Sequence, residues 1–209
     1  MKLIENRIEL INYFIEKNNY INYLEIGVRH PFACFNKINS PHKDGVDPVP
    51  HGKEVNYPIT SDDFFKLIKG KDIKYDIIFI DGLHLYEQSL RDIKNALNHI
   101  TEKGTIIIHD CNPPTEKHQT EIYDGEYAWN GTVWKALVEC RCTMSNINIH
   151  TLDTDWGLGI IQLGKQDLWT NDKLEKCHEY SYLEENRKEL LNLISKEEFN
   201  IKYKTGYEK

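Results

Sequence analysis

Apolar positions fall into two alternating patterns along the chain. Short apolar runs come first, and each is followed by a stretch whose apolar residues recur every three or four positions. The runs Tyr23–Val28, Lys43–Asp47, Tyr75–Ile80 and Gly104–Ile108 read as strands. The last two are apolar almost without interruption, as expected of central strands covered on both faces. Between them the spacing predicts a short helix about Phe32–Ile38 and a helix from Asp62 to Lys69. Thr60 or Ser61 caps the second of these, with acids in its first turn. A further helix runs from Tyr86 to Ile100, with Leu90, Ile93, Leu97 and Ile100 on one face. A helix over Thr132–Arg141 and two closing strands, Asn146–Leu152 and Gly157–Leu163, complete the pattern. Such alternation is the sign of βαβ units, so the expected fold is an α/β domain with a mostly parallel sheet.

The flanking segments read differently. Residues 1–20 form an amphipathic helix, with acids through the apolar stretch and no small-residue cleavage site, so no signal peptide is expected. Residues 111–131 contain prolines and lack periodicity, and a loop of that length is expected to act as a lid or substrate loop. Residues 1–165 are expected to be one domain and 166–209 a helical tail, which packs on the domain or makes a homodimer contact.

Composition narrows the classes. The chain of 209 residues carries a net charge of -7 with no basic cluster, which argues mildly against a nucleic-acid partner, although a local basic patch would still allow a transfer RNA substrate. No apolar run is long enough to span a bilayer, so a cytoplasmic protein is expected. Cys34, Cys111, Cys140, Cys142 and Cys177 are odd in number and include no C-x-x-C pair, which fits reduced thiols.

The candidate chemistry sits at the carboxyl ends of the predicted strands, where open α/β sheets bind ligands. Glu25 and Gly27, Asp47, Ser61 and Asp62, Asp81 and His84, and His109 and Asp110 all lie there. Gly27 permits close approach of backbone to a ligand. The full G-x-G-x-x-G fingerprint is absent, which disfavours a nicotinamide enzyme. Asp47 follows Gly27 by about twenty residues, the spacing at which an acid accepts hydrogen bonds from ribose hydroxyls. Acids also cap loops, and Glu25 and Asp47 have that simpler reading as well.

Asp81 and Asp110 close two apolar runs that belong mid-sheet, so adjacent strands would set two carboxylates side by side. Such a pair repels unless a cation neutralises it, and Mg²⁺, which prefers oxygen ligands, is suited to it. Asn112 offers another oxygen. Cofactor binding or capping without metal is the alternative for the pair. His84, three residues after Asp81, is placed to take a proton from a substrate hydroxyl. Capping and substrate orientation are its alternatives. His109 precedes Asp110 and is expected on the opposite face of the sheet, in a structural role. Tyr127, Trp129 and Trp134 flank the long loop and could cover the site or stack on a sugar ring, or simply pack.

The succession Y-L-E-I-G-V, G-V-D-P, T-S-D-D-F-F, Y-D-I-I-F-I-D-G-L-H-L-Y-E-Q and G-T-I-I-I-H-D-C-N-P-P-T-E resembles the class I S-adenosylmethionine-dependent methyltransferases. It is most similar to the small bacterial branch known as methyltransferase family 24. The resemblance runs from about Tyr23 to Leu163 and is most specific from Asp81 to Glu116. It implies a Rossmann-like, seven-stranded sheet with an antiparallel last strand. It implies that Glu25 and Gly27 line the methionine end of S-adenosylmethionine, that Asp47 holds the ribose, and that Ser61 and Asp62 lie near the adenine.

Catechol and macrolide-sugar O-methyltransferases in this superfamily place metal aspartates after the fourth and fifth strands, with a base three residues after the first. Asp81, His84 and Asp110 match that arrangement, so Mg²⁺-assisted O-methylation of a small-molecule or sugar hydroxyl is expected. Two departures stand out. The glycine motif is truncated, with no second glycine before Phe32. Cys111 stands where catechol-type enzymes carry asparagine, and a thiolate suits Mg²⁺ poorly, which leaves Asn112 as the third candidate ligand. A metal-independent N-methyltransferase and a non-catalytic cofactor-binding protein are the rival readings on the same fold.

Overall fold

A computed structural model describes residues 2–126 and 128–204. Asn6 opens α1, Arg7–Asn18, by accepting from the Glu9 backbone N–H, and Asn19 closes it in the left-handed conformation. Leu10, Ile11, Phe14 and Ile15 form its buried face, so the amphipathic reading holds. Strand β1 is Asn22–Ile26, β2 is His42–Val46, and a 3₁₀ turn at Phe35–Lys37 stands between them. Helix α2, Ser61–Ile68, is capped by the Thr60 side chain. Strand β3, Tyr75–Ile80, leads to α3, Tyr86–His99, and then to β4, Ile100–Ile108. Helix α4 is Val133–Thr143, followed by β5, Ile147–Leu152, and β6, Leu158–Leu163.

The last segment holds α5, Leu174–Cys177, and α6, Tyr180–Leu190, as its helical pattern predicts. It then contributes a two-residue strand β7, Leu193–Ile194, a short helix α7, Lys196–Phe199, and a π turn at Asn200–Lys204. β7 pairs parallel with β5 at the edge of the sheet. The order of the seven-stranded sheet is β2-β1-β3-β4-β6-β5-β7, and β6 runs against both neighbours.

Side chains alternate between the two faces of this sheet, and both faces are buried. Leu24, Ile26, Ile78, Ile80, Ile106 and Ile108 pack with α2, α3, α4 and α6. Tyr23, Ile77, Phe79 and Ile107 point the other way and pack with α1 and with Phe199 of α7. Burial on both faces explains why β3 and β4 read as uninterrupted apolar runs. Register places Ile80 beside Ile108, so the residues that follow them, Asp81 and His109, leave the sheet together on the α1 side. All five cysteines are free, and no helix among the described residues is long and apolar enough to cross a membrane.

Candidate active site

The carboxyl ends of β1, β2, β3 and β4 open into a cleft of about 1010 Å³. Glu25, Gly27, Asp47, Ser61, Asp81, His84 and Asp110 all line it. Two other sequence candidates do not. Asp62 lies outside the cleft and is half exposed, accepting from Gln88 at 3.2 Å, with Arg91 at 3.5 Å. Asn112 is also turned away. Its amide donates to Asp153 at 3.0 Å, and its oxygen accepts from Arg187 of α6 at 2.5 Å. The oxygen expected to serve a metal is therefore committed to the tail helix.

Gly27 is in the left-handed region at φ +96°, with its amide bonded to the Val46 carbonyl. Beside it, Glu25 is buried and accepts a hydrogen bond from the Tyr23 hydroxyl. Burial pushes its carboxyl up to about 7, against the pull of Tyr23. Asp47 is buried at the end of β2, where its Oδ1 caps the turn by accepting from the Val49 N–H at 2.7 Å. Ser61 accepts from Gln88, which also donates to Asp92, so α2 and α3 are tied together at this wall of the cleft.

The polar centre is larger than the sequence suggests. Asp81, His84 and Asp110 offer ligand atoms that all lie within 4.8 Å of one another. His84 Nε2 is 3.5 Å from Asp81, and its Nδ1 is 3.4 Å from Asp110 and 2.9 Å from the Trp129 carbonyl. Its ring stacks on Trp129 at 5.1 Å. Gly131, at φ +60°, makes this fit possible, because a Cβ there would stand 1.9 Å from the His84 carbonyl oxygen. Burial opposes charge on His84, but Asp81 and Asp110 outweigh it, and the net shift is upward. Asp110 itself sits at φ +62° and accepts from Asn130 at 2.9 Å.

His109 corrects its sequence assignment. It does not point to the far face. Because β3 and β4 are in register at Ile80 and Ile108, its ring enters the site beside Asp81. Nδ1 lies 3.2 Å from Asp81 and 2.9 Å from Asp110. Nε2 is buried without a hydrogen-bond partner, 3.5 Å from Asp155. Burial opposes its protonation, yet these carboxylates hold its pKa well above the ordinary histidine value. Asp81, half-buried, is driven well below the carboxylate range by His109, His84 and Arg7.

Arg7 and Asp155 are absent from the sequence-derived set. Arg7, the first residue of α1, bonds Asp81 Oδ2 at 2.8 Å and grips Asp155 through Nε at 2.9 Å and Nη2 at 3.0 Å. Asp155 reaches the site because Asp155, Trp156 and Gly157 form a left-handed run between β5 and β6. Aligning the two central runs on their last apolar residues would have found His109, whereas no local signal joins residue 7 to residues 81 and 155.

The long loop contains a 3₁₀ turn at Glu116–Gln119 and is otherwise irregular. Tyr123 and Trp129 line the cleft, whereas Trp134, in the first turn of α4, is fully buried in the core. Tyr127 lies outside the described residues.

The sequence model of a methyltransferase domain family, Methyltransf_24, matches residues 39–111, which run from the loop before β2 to just past the Asp81–Asp110 pair. Over that stretch the chain matches a methyltransferase domain. The methyltransferase shares its fold with solved methyltransferases. A protein described as an O-methyltransferase from Klebsiella pneumoniae is 13% identical with a TM-score of 0.55, over 74% of this chain and 78% of that one. A protein described as a caffeoyl-CoA O-methyltransferase from Staphylococcus aureus is 18% identical with a TM-score of 0.52, over 77% and 85%. The S-adenosylhomocysteine-bound methyltransferase of Podospora anserina is 14% identical with a TM-score of 0.53, over 76% and 77%. At these identities the likeness is one of fold. No curated protein matches the methyltransferase in sequence.

Proposed function

We propose that this methyltransferase transfers the methyl group of S-adenosylmethionine to a hydroxyl oxygen of a small molecule, a sugar hydroxyl being one candidate. The observation that carries this reading is the meeting of two sets in one cleft: Glu25, Gly27 and Asp47 at the ends of β1 and β2, and Asp81, His84 and Asp110 beyond β3 and β4. S-adenosylmethionine supplies a methyl carbon made electrophilic by its sulfonium. Gly27 lets backbone approach the ligand, Glu25 faces its ammonium, and Asp47 accepts from ribose hydroxyls. Ser61 lies on the wall that the adenine would reach. His84, fixed by the Trp129 carbonyl, is within reach of a hydroxyl placed against Asp81 and Asp110, and takes its proton. Much of the rate would come from holding oxygen and methyl near contact distance.

Two carboxylates beside one imidazole, with ligand atoms within 4.8 Å, suit a divalent cation. Asp81 and Asp110 would hold it, leaving His84 beside them as the base, and Asn112 would not. Such a cation would lower the pKa of a substrate hydroxyl and help to orient it.

The test is calorimetric titration with S-adenosylhomocysteine, with and without Mg²⁺, on the wild type and on Asp47→Ala. Micromolar binding that weakens roughly 10- to 100-fold in the variant supports the reading, since a charge-assisted hydrogen bond is worth about 1.5–3 kcal/mol. Absence of binding under both conditions would end it.

A further inference from the structure

This inference rests on the cation reading of Asp81 and Asp110. One oxygen of the Asp81 carboxylate is already taken by a positive charge from the chain itself, while the other, Oδ1, faces His84 at 3.5 Å and His109 at 3.2 Å. Arg7 Nη1 donates to Asp81 Oδ2 at 2.8 Å. It is not a loose surface side chain that happens to fall there. Asp155 accepts from the Arg7 backbone N–H at 2.8 Å, from Nε at 2.9 Å and from Nη2 at 3.0 Å. Asp155 is in turn held by the left-handed run at Asp155, Trp156 and Gly157 and by the closure of that turn through the Gly157 N–H to the Thr154 carbonyl. The first residue of α1 is therefore pinned by backbone and side chain together.

A guanidinium offers only donors, keeps its charge at any working pH, and cannot ligate a metal. While Arg7 holds Oδ2, Asp81 is left with Oδ1 alone for a divalent cation, and the two positive charges repel across one carboxylate. We infer that Arg7 is a tethered counter-cation that competes with a divalent cation for Asp81 and so sets how weakly this methyltransferase binds its metal. The cation gains the second oxygen of Asp81 only as Arg7 gives it up, and the anchoring of Arg7 by Asp155 sets how hard that displacement is. Removing the guanidinium frees a carboxylate oxygen of an otherwise intact cluster, so affinity rises.

The experiment titrates Mn²⁺ into the full chain by calorimetry, with free Mn²⁺ followed by electron paramagnetic resonance. The proteins are wild type, Arg7→Met, Arg7→Gln and Arg29→Met. Arg29 also lines the cleft and controls for a general change of charge. Arg7→Met and Arg7→Gln are expected to bind Mn²⁺ at least tenfold more tightly than wild type, and Arg29→Met within about twofold of it. Arg7→Gln carries the comparison alone should Arg7→Met fail to fold. Equal affinity across the set, or equal tightening in Arg29→Met, would overturn the role of Arg7 while leaving the cation site in place. Absence of Mn²⁺ binding in every protein would remove the cation site and this inference together. S-adenosylhomocysteine titrated in parallel reports separately on the cofactor cleft.

Discussion

Gly27 and the backbone of Asp81 approach so closely that a Cβ on Gly27 would stand 2.0 Å from the Asp81 carbonyl oxygen. Gly27 is also at φ +96°, where L side chains are strained. The same residue thus brings β1 and β3 together at the cleft floor and keeps its wall open. Gly27→Ala must either separate the two strand ends or distort both. We expect a loss of at least about 3 kcal/mol in chemical denaturation, at the severe end for single substitutions. The melting temperature should fall by roughly 6–12 °C for a chain of this size. Wild-type stability in the variant would show that the strand ends yield freely.

Glu25 gives the cleft a pH dependence. Its folded-state pKa is raised to about 7 by burial, whereas an unfolded glutamate titrates near 4.5. Between those values the folded chain binds more protons than the unfolded one, so Glu25 makes stability fall as pH rises from about 4.5 to 7. The contribution is of order 3 kcal/mol, fully present in acid and lost above 7. Ligand binding should run the opposite way, because an ammonium group is held only by the ionised carboxylate. S-adenosylhomocysteine affinity should therefore rise with pH between about 6 and 8, and Glu25→Gln should flatten the profile. A sloping profile in Glu25→Gln would assign the titration to another group.

His84 should affect chemistry far more than cofactor binding. Its contacts are to Asp81, Asp110 and Trp129, on the side of the cleft away from Asp47. Once an acceptor is known, His84→Ala should slow methyl transfer about 10²- to 10⁴-fold, the usual contribution of a general base. S-adenosylhomocysteine affinity should stay within roughly threefold. A comparable loss in both quantities would make His84 a binding residue instead.

How far the sequence reveals this molecule depends on the range of the interactions. The elements from β1 to β6 are legible because each is specified locally, by an apolar run such as Tyr75–Ile80 or a cap such as Thr60. Asp81, His84 and Asp110 are legible because parallel topology carries strand ends to one edge. His109 is misread because its placement depends on the register of β3 against β4, which residue-by-residue alternation within β4 does not supply. Asn112 is misread because its partner Arg187 lies 75 residues away in the tail. Arg7 and Asp155 belong to the same class, brought together across 148 residues by tertiary packing alone.

The final segment offers the sharpest stability test. A charged, helical pattern marks it as a tail that packs on the domain or makes a dimer contact, and in the structure Phe199 within it is fully buried. Its ring lies edge-on to Tyr13 at 5.5 Å and to Phe14 at 6.2 Å, and stacks with Tyr203 at 4.7 Å. β7 ties the same segment to β5 by sheet hydrogen bonds. Phe199 therefore closes the core between α1 and the sheet, and α1 carries Arg7 into the cleft. Phe199→Ala should cost about 3–5 kcal/mol, the usual loss for a buried phenylalanine, in urea or thermal unfolding. Loosening α1 should also weaken the grip of Arg7 on Asp81, so Mn²⁺ affinity should rise in the still-folded variant below its melting point. A cost under about 1 kcal/mol would mean that the tail rests on the domain without completing its core.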